Sequence, residues 1–276
     1  MTLPNFLVIG AAKGGTTSLH HYLRQHPEIY LTPVKETNFF WSEAREHGRK
    51  TVQTLAEYER LFDGAGSRKA VGEISPQYLN SETAAERIRR DLPGVRLIVS
   101  LRNPVDRAWS DYLGRVRILR ETGTFEEATR PGRPCLEWGF YSSRLKRYYD
   151  RFSREQIHVM LYDDFAADPV ASLRALFEFL DVAPDAPIDT TTRHNPAAMP
   201  RSFLLNRFLW KSVQAVQSVI PARLRGTGIL ARLLARTYRP APALSPERRR
   251  RLINTYRHDI LATAALIDRD LSHWLR

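Results

Sequence analysis

The apolar run Phe6-Leu7-Val8-Ile9 leads at once into Gly10-Ala11-Ala12-Lys13-Gly14-Gly15-Thr16-Thr17-Ser18, and a helix-like stretch follows. A strand, a glycine-rich turn and a helix in this order constrain the fold more than any other part of the chain. The glycines leave backbone N–H groups free to converge on an anion, the start of the helix contributes its positive dipole end, and Lys13 adds a full charge. This is the pattern of a phosphate-binding loop. It differs from G-x-x-x-x-G-K-[ST], in which lysine follows the last glycine and the neighbouring hydroxyl holds magnesium. Here Lys13 precedes the Gly14-Gly15 pair.

A second segment sharpens that reading. The best candidate for a buried strand, Val95 to Leu101, ends in Arg102. Metal-assisted phosphoryl transfer places an aspartate near such an end to help hold magnesium. A cation in its place predicts a second anion. Asn103 then reads as an N-cap and Pro104 as the first helical residue. Val105, Ala108, Trp109, Tyr112, Leu113 and Val116 form an apolar stripe behind them at spacings of three and four. Ser110 lies off the centre of that stripe, so Arg102 and Ser110 are expected to hold one phosphate from two sides. The ligand implied is a nucleotide with two separate phosphate positions and no required metal.

Read together, these segments resemble the sulfotransferases that use 3′-phosphoadenosine 5′-phosphosulfate (PAPS), and within them the heparan-sulfate type. The resemblance rests on Lys13-Gly14-Gly15-Thr16-Thr17 and on Leu101-Arg102-Asn103-Pro104 continuing to Arg107, Ser110 and Tyr112. It extends through Lys35-Glu36-Thr37-Asn38-Phe39-Phe40, Gly72-Glu73-Ile74-Ser75-Pro76-Gln77-Tyr78 and Gly139-Phe140-Tyr141. It implies that Gly14, Gly15, Thr16, Thr17 and Ser18 hold the 5′-phosphate and that Lys13 serves the oxygen bridging to the sulfuryl group. Arg102 and Ser110 then take the 3′-phosphate, and Tyr141 contacts the nucleotide or the acceptor. Glu36 stands where the family keeps its general base, with Lys35 beside it to tune that base or to touch the sulfuryl group. Phe39, Glu73, Ser75 and Tyr78 are expected to line the acceptor cleft. The chain departs from the glycosaminoglycan enzymes at Ile74-Ser75, where several carry lysine and threonine, and at Asn38, where some carry histidine. Their K-G-R segment is missing as such, and Arg193 or Arg201 is the candidate to replace it.

The remaining sequence bounds the setting. Apolar runs at Phe6–Ile9, Ile29–Leu31, Ala70–Ile74, Arg96–Leu101 and Ile157–Tyr162 alternate with helical patterns, including Ser142–Phe152 and Ser172–Leu180. Such alternation predicts an α/β fold: a central parallel sheet flanked by helices in three layers, with ligands at the carboxyl ends of the strands. The 276 residues are expected to form one P-loop-type domain, with residues 202–240 as a basic helical lid or surface segment within it. A lone cysteine, Cys135, cannot form an internal disulfide. With no signal pattern and no apolar run approaching ~18 residues, a soluble cytoplasmic protein is expected. The net charge is +12, and residues 201–276 hold 15 Lys plus Arg against 4 Asp plus Glu. That excess suits an anionic glycan or membrane surface, or simply a solvated arginine-rich face. Nucleic acid is not the partner expected.

The resulting expectation is sulfuryl transfer from PAPS to an acceptor hydroxyl on a carbohydrate or small metabolite. Two alternatives stay open from sequence: a P-loop kinase of a small metabolite, and a non-catalytic basic protein that binds glycan or membrane. A serine-nucleophile hydrolase is disfavoured because no G-x-S-x-G elbow is present. His20 and His21 are adjacent rather than spaced by a helical turn and read as structural.

Overall fold

A computed structural model describes residues 3–42, 52–191, 198–200 and 238–276. Strands β1 (Phe6–Gly10), β2 (Ile29–Leu31), β3 (Ala70–Ile74), β4 (Arg96–Leu101) and β5 (Ile157–Leu161) form one sheet in the order β2-β3-β1-β4-β5. Every neighbouring pair in it is parallel. All five carboxyl ends therefore open on one edge of the sheet. The central strand β1 is buried along its whole length. Its side chains alternate as a pleat requires: Leu7 and Ile9 enter one core, Phe6 and Val8 the other. β4 repeats the division, with Leu97 and Val99 on the first side and Ile98 on the second.

Each face of the sheet is closed by helices. The second core is completed by α1 (Thr16–Leu23), through Leu19 and Leu23, and by α9 (Pro169–Leu180), through Leu173, Leu176 and Phe177. The first core receives α3 (Ala84–Asp91), α4 (Pro104–Arg117) and α7 (Ser142–Tyr149). It also receives the closing helix, Pro246–Ile267, through Leu252, Tyr256 and Ile260. Short helices α2 (Leu55–Arg60), α5 (Phe125–Ala128), α6 (Pro134–Glu137) and α8 (Tyr162–Ala167) lie in the connections. The closing helix starts as its sequence predicts, with the Ser245 side chain accepting from Arg248 N and Pro246 in the first turn. Its Asp259 carboxylate then accepts from Tyr141 N at 2.6 Å and Ser142 N at 3.1 Å, capping α7.

The predicted α/β class and the five strands of the central sheet are observed, but Tyr238–Pro240, expected within a helical segment, instead pairs antiparallel with Ala198–Pro200 in a second two-stranded sheet. The remaining boundary differences have local causes. β5 ends at Leu161 because Tyr162 already begins α8. α9 starts three residues before the predicted Ser172, because Asp168 caps it through Ala171 N and Pro169 fits its first turn. Three of the four arginines in the run that opens the closing helix have partners within the chain. Arg248 Nε lies 2.5 Å from Glu126 Oε1, Arg249 donates to Asp106, and Arg251 Nη2 donates to Thr129 Oγ1 at 2.9 Å. These arginines bind the closing helix to α4 and α5. No helix among the described residues is long and apolar enough to cross a membrane.

Candidate active site

The loop after β1 is held against the end of β4. Ala11 N donates to Ser100 O at 2.9 Å, Gly14 N donates to Ala11 O at 2.9 Å, and Ser100 Oγ donates to Gly14 O at 2.6 Å. Two glycines are required by this closeness. A Cβ at residue 14 would stand 2.2 Å from Ser100 O, and Gly15, at φ 86°, has Tyr162 pressed against it. α1 begins immediately after Gly15 with no side chain capping its first turn. Its N-terminal donors and positive dipole end are therefore left for an anion. Thr16, Thr17 and Ser18 line the same cleft as Lys13 and Gly15, a cavity of about 310 Å³.

Arg102 and Ser110 face that cleft from the other side, on the end of β4 and on α4. Asn103 caps α4 as predicted, its Oδ1 accepting from Val105 N at 3.0 Å. The Arg102 guanidinium sits 4.6 Å from the centre of the Tyr162 ring, and its Nη1 donates to Lys13 O at 3.4 Å. Tyr162 thus touches both halves of the site, the loop at Gly15 and the arginine. Sequence reasoning missed it by taking it for the last residue of a strand. Its position directly after β5, at the same sheet edge as the loop, was the available signal.

Glu36 and Lys35 close the cleft from the segment after β2. Glu36 N donates to Ile74 O at 3.0 Å, Asn38 Nδ2 donates to Glu36 O at 2.9 Å, and Lys35 Nζ lies 3.0 Å from Glu36 Oε1. Lys13, Glu36 and Asn38 all have left-handed φ values, 74°, 61° and 52°. Non-glycine residues adopt that conformation at a cost and do so preferentially at functional sites. Both candidate catalytic side chains are among them.

The residues expected to line the acceptor cleft from β3 are placed elsewhere. Glu73, Ser75 and Tyr78 are each fully buried. Glu73 Oε2 accepts from Thr37 Oγ1 at 2.5 Å and Ser75 Oγ at 2.8 Å, while Oε1 accepts from Tyr58 OH at 2.9 Å and Tyr78 OH at 2.6 Å. Burial pushes the Glu73 carboxyl above the usual range, and the hydroxyl bonds offset part of that. The carboxyl is an internal clamp that ties the Glu36 segment to β3, so the direct contact expected for these three residues is corrected to a supporting one. Pro76 and Gln77 line the cleft in their place. Phe39 is also turned away: it stacks on Tyr58 with ring centres 4.4 Å apart and lies under Arg87. Tyr141 is 1% exposed and donates to Arg102 O at 2.9 Å, so it positions the arginine instead of meeting a ligand. Replacing Glu73 by alanine would take the carboxylate acceptor from four buried hydroxyls, of which Thr37 and Tyr78 could still pair with each other. The expected loss is about 3 kcal/mol or more, read as a lower urea midpoint.

α4 adds a feature that sequence reasoning passed over. Arg115 and Arg117 of α4, and Arg120 just past its end, line the cleft beyond Ser110, together with Asp111 and Gly114. Helical spacing held the signal, since residues 110, 114 and 117 share one face. Arg193, Arg201 and residues 202–237 lie outside the described residues.

At one edge the parallel sheet gathers a glycine-rich loop leading into a helix N-terminus, a second cationic side chain and a carboxylate, the edge at which open α/β sheets bind their ligands. The family is shown by comparison: residues 3–214 match the sulfotransferase domain, and the chain belongs to the sulfotransferase family. A crystal structure of a sulfotransferase from Alicyclobacillus acidocaldarius superposes with a TM-score of 0.77 and 33% identity, covering 100% of both chains. The membrane-associated sulfotransferase kil1 of Dictyostelium discoideum is 33% identical over 140 residues, 51% of this chain and 27% of that protein. Heparan sulfate glucosamine 3-O-sulfotransferase 5 of Homo sapiens is 27% identical over 194 residues, 66% of this chain and 54% of that protein. The chain thus matches about a quarter to a half of the length of these two relatives.

Proposed function

We propose that the chain transfers a sulfuryl group from PAPS to an acceptor hydroxyl on a carbohydrate or small metabolite. The observation that carries this reading is convergence: Lys13 with Gly15 to Ser18, Arg102 with Ser110, and Lys35 with Glu36 arrive from separate strand ends at one cleft. Gly14, expected to hold the phosphate, instead gives its N–H to Ala11 O and packs against Ser100. The loop amides, Thr16, Thr17 and Ser18 receive the 5′-phosphate, and Arg102 and Ser110 receive the 3′-phosphate. Glu36 accepts the proton of the acceptor hydroxyl as its oxygen forms a bond to sulfur. The bond from sulfur to the 5′-phosphate oxygen breaks, and Lys13 neutralises the charge that gathers on that oxygen. The products are the sulfate ester and 3′-phosphoadenosine 5′-phosphate.

Catalysis of this kind is mainly positioning and charge stabilisation. The left-handed backbone at Lys13 and Glu36 supports that reading, because both side chains are aimed by structure that over-determines them. A cytoplasmic setting belongs to the same proposal, as does an anionic glycan or membrane partner for the rest of the basic C-terminal third. Arg248, Arg249 and Arg251 are already engaged within the chain and do not supply that surface. Transfer from sulfur-labelled PAPS across a panel of glycans, lipids and phenols tests the reaction, with a labelled ester expected in at least one class. Labelled phosphate transfer from ATP, with no sulfate ester in any class, would replace this reading with a kinase.

A further inference from the structure

Glycine inside a helix weakens it, and Gly114 lies within α4 at a point where the chain makes no turn. The space beside it is used by Lys13. The lysine Nζ lies 2.5 Å from the place a Cβ on residue 114 would occupy, and its Cε lies 3.3 Å away. Asp111 stands one turn earlier on the same helix. It is nearly buried, with Oδ2 accepting from Arg115 Nε at 3.0 Å and lying 3.8 Å from Arg107 Nη1. Other charged and titratable groups face this corner from neighbouring elements. Arg102, at the end of β4, donates to Lys13 O at 3.4 Å; Cys135 of α6 lies with its Sγ 3.6 Å from Asp111 Oδ2; and Lys35 and Glu36 line the same cleft.

We propose that Gly114 is a positioning residue for Lys13, the missing side chain at 114 giving the ammonium its berth across the cleft, and that the Asp111 carboxylate, one helical turn away on the same cleft wall and shared with Arg115 and Arg107, supplies an opposing charge on that side. The proposal rests on the role given to Lys13 above. Burial lowers the Lys13 pKa, Asp111 acts to raise it, and Arg117, Arg107 and Arg115 lower it further. Burial acts to raise Asp111, yet Arg107, Arg115 and Lys13 outweigh it and hold the carboxyl below its usual range. Removing Asp111 would leave Lys13 among arginines with its main opposing charge gone. Activity that needs charged Lys13 falls as pH rises through the lysine pKa, and without Asp111 that fall moves to lower pH.

Gly114→Ala is the cleaner test, because alanine is the better helix former and the variant should melt no lower than the parent chain. Its Cβ displaces the ammonium, and a displacement on the ångström scale predicts roughly a 10–100-fold loss of turnover. Placed in a Lys13→Ala background, Gly114→Ala should add no further loss. Asp111→Asn should move the alkaline fall of kcat to lower pH, with Asp111→Glu restoring it toward the parent profile. Side-chain nitrogen NMR titration of Lys13 gives a reading independent of turnover, and Asp111→Asn should lower the lysine pKa seen there. Parent-like turnover in Gly114→Ala, an equal loss in both backgrounds, or an unmoved Lys13 titration would overturn the proposal. A shifted titration in a chain that transfers no sulfuryl group would uphold the berth and remove the assigned reaction.

Discussion

A Glu36→Gln variant is expected to bind 3′,5′-adenosine bisphosphate as the unaltered chain does, and to transfer sulfuryl groups roughly 10²–10⁴ times more slowly. The substitution keeps the shape of the side chain and removes its charge, and with it both the capacity to take a proton and the ion pair with Lys35. The backbone bond from Glu36 N to Ile74 O, the Asn38 bond to Glu36 O and the Glu73 clamp are all independent of the carboxylate. The Glu36 segment therefore has no reason to move. Turnover with labelled PAPS and calorimetric bisphosphate binding separate the two outcomes. Near-normal transfer with intact binding would show that another group takes the proton.

Lys13→Ala is expected to lower turnover about 10²–10³-fold, the scale on which losing one preorganised donor to a developing oxyanion is felt. Three features place this lysine to act: its left-handed backbone, the tie from its carbonyl oxygen to Arg102, and its side chain laid across the cleft to α4. The loop should survive the change. Gly14, Ala11 and Ser100 hold it together through bonds that do not involve the lysine side chain. Bisphosphate binding should weaken far less than turnover, because the charge to be neutralised appears only as the sulfur–oxygen bond breaks. An equal loss in both would make Lys13 a binding residue alone.

Much of this site was legible because its signals are local. Gly14 and Gly15 sit where the loop needs close approach and a left-handed turn, and Asn103-Pro104 announces the start of α4 in two residues. Arg102 at the end of an apolar run was readable for the same reason. What could not be read was burial. Glu73 looks like a cleft residue in sequence because it ends a strand at the right edge, but its four hydroxyl partners come from positions up to 36 residues away. Tyr141 was misjudged similarly, since the Arg102 carbonyl that it binds is 39 residues distant. The arginines of the closing helix looked like a surface because the sequence gives charge without its partners, and Glu126 and Asp106 lie more than 120 residues upstream. Hydrogen-bond partners distant in the chain are fixed by sheet order and helix docking, which no single segment encodes.

The most direct test of the account is calorimetric and needs no knowledge of the acceptor. The full chain should bind 3′,5′-adenosine bisphosphate without added metal, and that binding should weaken in Arg102→Ala and Ser110→Ala. Tight binding of ATP with magnesium and none of the bisphosphate would contradict the sulfotransferase reading.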